Sequence, residues 1–181
     1  PIQDIRNLKR TIQLASGGYR SNTLVLGRPT FDVLCDHPDF VDRIKYGQAP
    51  GTASRVTLAA MAALFELDEV LVMDAILNTG GEAPASLGLN AAEANAFIGG
   101  ASGVGGKAAL LLYVPPTAGL MTPAAGYTFS WTGYFGAAPN GYRMKSFYIN
   151  TIESTRVEID AAYDHKLVGA DMGAYIATAV A

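Results

Sequence analysis

The segment Asn22–Lys45 places the strongest limits on how this chain can fold. Thr23–Leu26 is a short apolar run rich in β-forming residues, which predicts a buried strand. Gly27 breaks the run, and Pro29 suits the first turn of a helix, where an N–H group would have no partner in any case. The segment therefore predicts a strand that leads directly into a helix, as in an α+β core.

Two short helices are predicted in the second half of this segment. The apolar face of the first helix is formed by Phe31, Leu34 and Cys35. Pro38 interrupts that helix and starts another one, which is expected to end at Gly47. The inner side of this second helix is formed by Phe40, Val41 and Ile44.

Apolar periodicity predicts further helices. An N-terminal helix ends at Gly17-Gly18 and buries Ile2, Ile5, Leu8 and Ile12. A later helix is capped by Thr57, and its apolar side is formed by Leu58, Met61, Ala62 and Phe65. Asn90 and Glu93 have the spacing of a capping box and predict a short helix that reaches Ile98. The rest of Thr79–Gly106 is predicted to be a long flexible loop, and Ala49–Arg55 a polar one.

Several later segments are predicted to be strands. They are Glu69–Leu77, Ala109–Val114, Tyr127–Thr132, Tyr142–Asn150 and Val157–Ala161. The alternation in Tyr127–Thr132 gives that strand an aromatic face. A turn is predicted at Pro139-Asn140-Gly141, and the small apolar segment Lys166–Val180 is expected to pair in the same sheet.

Charge is scarce in this sequence. Only 16% of its 181 residues are charged and 50% are hydrophobic, whereas about 25% of an average domain is charged. A surface with few charges is tolerated where neighbouring subunits cover it, so the composition favours an oligomer.

The charge pattern and the cysteine content argue against several functional classes. The net charge is −3, from 13 basic and 16 acidic residues, and no run of residues carries one sign of charge. We therefore expect no basic patch that could bind the phosphates of a nucleic acid. The lone Cys35 excludes an internal disulfide and a cysteine-rich metal site. No apolar run approaches the roughly 18 residues of a membrane span, and no signal peptide is recognised. Because the chain opens at Pro1, we interpret it as a fragment, a processed product or the ordered part of a longer protein.

The segment Ala101–Ala108 resembles the start of a phosphate-binding loop, in which backbone N–H groups would cradle phosphates and Lys107 would reach the terminal ones. Ala108 lacks the hydroxyl that would hold Mg²⁺. The predicted order of helix, loop and strand also leaves no helix N-terminus facing the phosphates. A flexible loop of small residues is the favoured interpretation, and a small α/β nucleotide-binding enzyme that uses Gly99–Lys107 is the alternative.

The histidines and the cysteine offer little for a metal site. Cys35 and His37 would point to nearly opposite sides of a helix, so they cannot share a metal. His37 is interpreted as the cap of the helix that begins at Pro38, and His165 as part of a polar turn between strands. A Cys35–His165 pair formed by the fold is conceivable, but a small buried thiol and two surface histidines are favoured.

Two further groups of residues are interpreted as structural. A solvated helix face explains the spacing of Asp32, Asp36, Asp39 and Asp42. An aromatic set could stack bases or sugars, but it lacks basic neighbours, so a core or a subunit contact is favoured for Tyr127, Phe129, Trp131, Tyr134 and Phe135. Trp131 is expected to be largely buried, in the core or against a neighbouring subunit. No catalytic, cofactor-binding or metal-binding residue is predicted.

Five stretches, taken in order, carry a family resemblance: Gly18–Gly27, His37–Lys45, Leu64–Thr79, Gly106–Pro116 and Val157–Val168. Together they resemble the tailed-phage major capsid proteins, whose Hong Kong 97-type capsid fold is shared with encapsulin shells. Ser21 departs from this pattern, because relatives often carry Pro there. The resemblance implies that the N-terminal arm and the extended loop, which precede this region in the family, would be missing from the given sequence.

The resemblance implies an α+β fold with three parts. Residues 1–19 would be the end of the spine helix in the peripheral domain. Residues 20–151 would form the axial domain, a mixed sheet flanked by helices, and residues 152–181 would return as strands to the peripheral domain. The Gly99–Lys107 loop would be mobile and lie near the centre or the surface of a capsomer.

The resemblance also implies a function. The protein would be a structural major capsid (head) protein that self-assembles into an icosahedral shell around phage double-stranded DNA, without enzyme activity, cofactor or metal. Its partners would be copies of itself in pentamers and hexamers, portal, scaffolding and decoration proteins, and the packaged DNA by non-specific contact, with no membrane. It would be assembled in the bacterial host cytoplasm and located in the virion. An encapsulin-like protein compartment is the alternative within the shell class.

Overall fold

A computed structural model of the chain describes residues 1–47, 56–78, 95–119, 121–131, 133 and 142–180. The chain divides into two compact units. The large unit comprises residues 1–122 with 171–181, and the small unit comprises residues 123–170. The predicted domain boundaries, after residues 19 and 151, are defined by where each part of the chain would lie in an assembled capsid. They therefore stay a prediction.

The large unit combines helices with a mixed sheet. Its described helices are α1 (Ile2–Ala15), α2 (Arg28–Cys35), α3 (Pro38–Gly47) and α4 (Leu58–Phe65). Its sheet contains β1 (Thr23–Gly27), β2 (Glu69–Met73), β5 (Ala109–Leu112) and β10 (Gly173–Ile176), in the order β10-β5-β1-β2. β1 runs parallel to β2 and antiparallel to β5, which is antiparallel to β10. A second, two-stranded sheet pairs β3 (Ile76–Asn78) with β4 (Asn95–Phe97), and a 3₁₀ helix (Ala170–Met172) precedes β10. The α+β class is therefore confirmed.

The predicted strand-to-helix segment is confirmed and lies at the centre of the core. Leu24 and Leu26 of β1 are each 1% exposed, and Pro29 lies in the first turn of α2. The rings of Phe40 and Phe65 meet edge to face with their centroids 5.4 Å apart. Such aromatic contacts add to the stabilisation gained from burial. The isoleucines of α1 complete this core with Ile2, Ile5 and Ile12.

Several predicted helix ends are confirmed. The Thr57 side chain accepts a hydrogen bond from the N–H group of Ala60 at 3.2 Å, as an N-cap should. Gly17, with φ at +73°, ends α1 in a conformation that other residues rarely adopt. Nδ1 of His37 lies 3.2 Å from the Asp39 N–H group, so His37 caps α3. Leu58, by contrast, is 41% exposed and does not join the apolar side of α4.

The prediction of one buried strand over Glu69–Leu77 is wrong, because the segment forms β2 and β3 in two different sheets. The pairing of β2 with β1 ends where Met73 lies opposite Gly27, since β1 there passes into α2. Val70 is the buried residue of β2, and all of β3 is exposed.

The predicted helix that reaches Ile98 is also wrong over its described part. Asn95–Phe97 is the strand β4, which pairs with β3, and Ile98 bridges to Val104. Sheet pairing here overrides the local capping signal. The Asn90 and Glu93 positions, the Ala49–Arg55 loop and the Pro139–Gly141 turn lie outside the described residues.

The small unit consists of two antiparallel ribbons. One ribbon pairs β6 (Gly126–Ser130) with β9 (Tyr163–Leu167), and the other pairs β7 (Tyr142–Ile149) with β8 (Ser154–Ala161). The prediction that Lys166–Val180 pairs within one sheet is wrong, because β9 pairs with β6 in the small unit and β10 with β5 in the large unit. Short alternating runs define a strand but do not identify its partner. None of the described helices is long and apolar enough to cross a membrane.

Candidate assembly interface

The β7–β8 ribbon has one face of apolar and small side chains, and every one of them is exposed. Alternate residues of paired strands share a face, and Met144 lies directly opposite Ile159. Met144 is 70% exposed, Ile159 72% and Val157 59%. The remaining members of this apolar face are Tyr142, Ser146, Tyr148, Thr155 and Ala161.

The opposite face of the ribbon pairs its charges internally. Asp160 lies 3.2 Å from Arg143 and 3.1 Å from Lys145, and Arg156 lies 2.8 Å from Glu158. The hydrogen bond from Lys145, and then that from Arg143, lowers the pKa of Asp160 below its usual value. These oppositely charged side chains therefore pair with one another on this face of the ribbon.

The ribbon is thus inverted relative to an ordinary half-solvated sheet. In such a sheet the apolar face packs on a core and the polar face meets water. Here Arg143, Lys145, Glu158 and Asp160 are partly buried, although Arg156 and Phe147 on the same face are exposed, while the apolar face is open throughout. A two-stranded ribbon with an uncovered apolar face is marginally stable at best. An exposed apolar face of this kind makes the ribbon a candidate surface for a protein–protein contact.

The β6–β9 ribbon is exposed as well. Trp131 is 64% exposed, so its predicted burial in the core is wrong; its burial against a neighbouring subunit stays a prediction. The backbone N–H group of Trp131 donates to the Ala162 carbonyl at 3.0 Å, so this residue continues the pairing of the ribbon. Tyr127 and Phe129 contact each other edge to face. Tyr134 and Phe135 of the aromatic set lie outside the described residues.

His165 lies within β9 and not in a turn, which corrects the prediction for that residue. Its Nδ1 atom is 2.9 Å from the Thr128 hydroxyl across the ribbon. Cys35 belongs to α2 of the large unit, where it packs against the core. Within the described ranges, no group of three or more His, Cys, Asp or Glu side chains could hold a metal ion. The four aspartates predicted to form a solvated face are exposed: Asp32, Asp36, Asp39 and Asp42.

The Gly99–Lys107 segment forms a turn with internal backbone hydrogen bonds, and its predicted mobility stays a prediction. The N–H groups of Gly99, Gly103 and Gly105 donate to carbonyl groups of Gly103, Gly100 and Phe97. The Tyr175 hydroxyl accepts from the Gly100 N–H group at 3.2 Å and donates to the Gly100 carbonyl at 2.8 Å. These N–H groups are therefore already engaged, whereas a phosphate cradle needs them free.

Close backbone packing explains why this turn is rich in glycine. A Cβ atom on Gly27 would lie 1.7 Å from the Gly106 carbonyl oxygen, and one on Gly106 would lie 2.6 Å from Cδ of Pro29. Gly106 also has φ at +66°. The Thr30 hydroxyl donates to the Gly106 carbonyl at 3.3 Å. The absence of side chains at these glycines thus allows the backbone of the turn to pack directly against the end of β1 and the start of α2.

Comparisons with known proteins show a similarity in fold to a solved structure. No protein-family model and no curated protein matches the sequence. Among solved structures, the chain is similar to a phage-related protein from Bordetella bronchiseptica, with a TM-score of 0.73 and 24% identity. The match covers 99% of this chain and 51% of that protein, so this chain spans about half of that protein's length. The chain therefore shares its fold, over nearly its whole length, with part of a phage-related protein.

Proposed function

We propose that this chain is a structural subunit of a tailed-phage capsid with the Hong Kong 97-type fold. It self-assembles through pentamers and hexamers into an icosahedral shell around double-stranded DNA and performs no catalysis. The observation that carries this proposal is the uncovered apolar face of the β7–β8 ribbon. The fold shared with a phage-related protein and the ordered capsid-like segments of the sequence support it.

The occupant of the apolar face is a second copy of this chain. Fully burying a side chain such as Met, Ile or Val contributes about 1.5–3 kcal/mol. Met144, Val157 and Ile159 would together supply several kcal/mol on each copy, less the cost of ordering the contact. The opposite face has already paired its charges, so covering the apolar face leaves no charge unpaired.

The remaining parts of the proposal follow from the capsid assignment. Portal, scaffolding and decoration proteins would contact the shell, and the shell would be assembled in the bacterial cytoplasm and become part of the virion. An encapsulin-like compartment would use the same fold and the same subunit contacts. The nucleic-acid content of purified particles distinguishes the two, because a phage head holds double-stranded DNA.

The test is assembly of the full-length gene product that contains this chain. Negative-stain microscopy and sedimentation should show rings or closed shells for the natural sequence. The double variant Met144→Asp/Ile159→Asp should give dispersed, folded protein, because charges on the apolar face cannot be buried without partners. The control Ala59→Asp adds a carboxylate at an exposed position of α4 and should assemble normally. A stable monomer of the natural sequence at micromolar concentration would contradict the proposal.

A further inference from the structure

One face of the large unit collects basic residues that are scattered in the sequence. Two surface hollows flank α1: one of about 350 Å³ is lined by Arg6, Arg10 and Arg43, and one of about 390 Å³ by Arg6, Lys9, Arg10 and Arg20. Because the hollows share Arg6 and Arg10, they form a continuous cationic face. This face holds five of the chain's 13 basic residues, so the sequence-based expectation of no basic patch is wrong. The cause is the fold, which brings Arg20 and Arg43 beside α1.

Three of the four arginines of this face differ from most other basic residues of the described chain in lacking acidic partners. Arg6, Arg10 and Arg43 are exposed, and none of them forms an ion pair within the part of the chain that the structure describes. Elsewhere, carboxylates lie within 3.2 Å of Arg28, Arg143, Lys145, Arg156 and Lys166. The acidic residues that line the cationic face are Asp39 and Glu66, and Glu66 pairs with Arg20 at 3.4 Å. Three guanidinium groups therefore remain available to an external anion.

Lys9 is the structural member of the face. Its Nζ atom donates to the carbonyl oxygens of Phe65 and Glu66, both at 2.7 Å. Burial, and after it the charge of Arg20, lowers the pKa of Lys9; Arg6 acts in the same direction, while the carboxylates of Glu66 and Asp68 partly oppose the shift. Arg20 and Arg6 are thus close enough to repel Lys9, and an anion bound beside them would reduce this repulsion.

We infer that the cationic face binds the phosphates of double-stranded DNA without sequence preference. This inference rests on the proposed function, because an enclosed genome supplies the partner. Arg6 and Arg10 are one helical turn apart on the exposed side of α1, and guanidinium groups bind phosphate oxygens through paired hydrogen bonds. An acidic protein segment is the less suitable partner, because the hollow that contains Lys9, Arg20 and Glu66 is lined by polar side chains and offers no apolar anchor.

The experiment measures binding of the protein to a short random-sequence DNA duplex by fluorescence anisotropy at low and moderate salt. Each neutralised phosphate contributes roughly 0.9 to the slope of log K against log salt, so three contacts should weaken binding about fortyfold between about 50 and 200 mM salt. The variant Arg6→Gln/Arg10→Gln/Arg43→Gln should lose most binding and most of this salt dependence. The control Arg28→Gln/Lys107→Gln/Lys166→Gln removes the same charge and should bind like the natural protein.

Two further variants test whether the charge of these arginines is what binds DNA. The variant Arg6→Lys/Arg10→Lys/Arg43→Lys keeps the charge and should keep much of the binding; if the glutamine variant fails to fold, the single change Arg10→Gln should lower the slope by roughly 0.9. Equal losses in the glutamine variant and its control, no loss in either, or tighter binding of polyglutamate than of DNA would overturn the inference. If particles form normally but the glutamine substitutions do not weaken DNA binding, this inference alone is refuted. If the natural sequence forms no particles, the proposed function is refuted.

Discussion

The two units of this chain bury their apolar side chains to very different extents. In the large unit, Phe40, Phe65 and Met61 are at most 1% exposed and pack on the leucines of β1. In the described part of the small unit, the buried hydrophobic residues are Ala124 and Ala125, while Trp131, Leu167 and the apolar face of β7–β8 are exposed. The large unit therefore has the core of a protein that folds by itself, and under the proposed function a neighbouring subunit covers the apolar face of the small unit.

The comparison has a consequence for stability. Removing a side chain from the large unit should lower the free energy of unfolding of the chain, because a cavity is left in its core. Removing an exposed apolar side chain from the small unit should reduce the yield of assembled particles but should change the free energy of unfolding little. The predictions below are arranged from the largest expected effect on unfolding to the smallest.

Phe65→Ala should destabilise the chain most, by about 3–5 kcal/mol. Phe65 is 1% exposed and contacts the ring of Phe40, so the substitution removes a full aromatic contact and leaves a cavity. Urea unfolding monitored by circular dichroism measures the loss. Leu14→Ala, at a position 85% exposed on α1, is the control and should cost less than about 0.5 kcal/mol. Similar values for both variants would contradict the core assigned to the large unit.

Lys9→Met should cost about 1–3 kcal/mol, because two carbonyl groups at the end of α4 lose their donor. The loss should also depend on pH. Since burial lowers the pKa of Lys9 from 10.5, the unfolded chain binds a proton that the folded chain lacks between the lowered value and 10.5, and the free energy of unfolding of the natural chain should rise with pH in this window.

This rise should be absent from Lys9→Met, and urea unfolding at a series of pH values up to 10.5 measures it. Arg10→Met is the matched control, because Arg10 is exposed on the same helix. A control that loses as much stability as Lys9→Met would show that the loss comes from charge and not from the two hydrogen bonds.

Trp131→Ala should change the free energy of unfolding by less than about 1 kcal/mol, since the ring is 64% exposed. The same substitution should reduce the yield of assembled particles if a neighbouring subunit covers the ring. Urea unfolding and sedimentation of one preparation measure the two effects. A loss of several kcal/mol in the dispersed chain would mean that the small unit has a core of its own.

Lys107→Ala should alter neither unfolding nor assembly, because the side chain is exposed and the turn around it is held by backbone hydrogen bonds. Equilibrium dialysis with ATP or GTP checks the alternative function. Tight nucleotide binding that this substitution abolishes would support the enzyme interpretation of Gly99–Lys107.

The sequence predicted those parts of the fold in which local chemistry decides the outcome. Pro29, Thr57 and His37 act within a few residues, so the helix starts that they define could be recognised from their neighbours. The buried strand Thr23–Leu26 could be recognised because both of its faces are apolar.

The errors arise where distant pairing decides the outcome. β3 and β4 form a sheet across a long sequence separation, and the segment after His165 is divided between two units. The alternation of β7 and β8 was also visible in the sequence, but alternation does not reveal which face is covered, since that depends on the partner layer. The cationic face was missed for the same reason, because its arginines come from separate elements.

Hydrogen exchange of the backbone amides, compared between dispersed chain and assembled particles, tests the central claim most directly. The amides of β1 should be strongly protected in both states, because the large unit has its own core. The amides of β7 and β8 should exchange rapidly in the dispersed chain and at least about tenfold more slowly in particles, because a neighbouring subunit then covers the apolar face. Protection of β7 and β8 that equals that of β1 in the dispersed chain, or that does not change on assembly, would contradict the account.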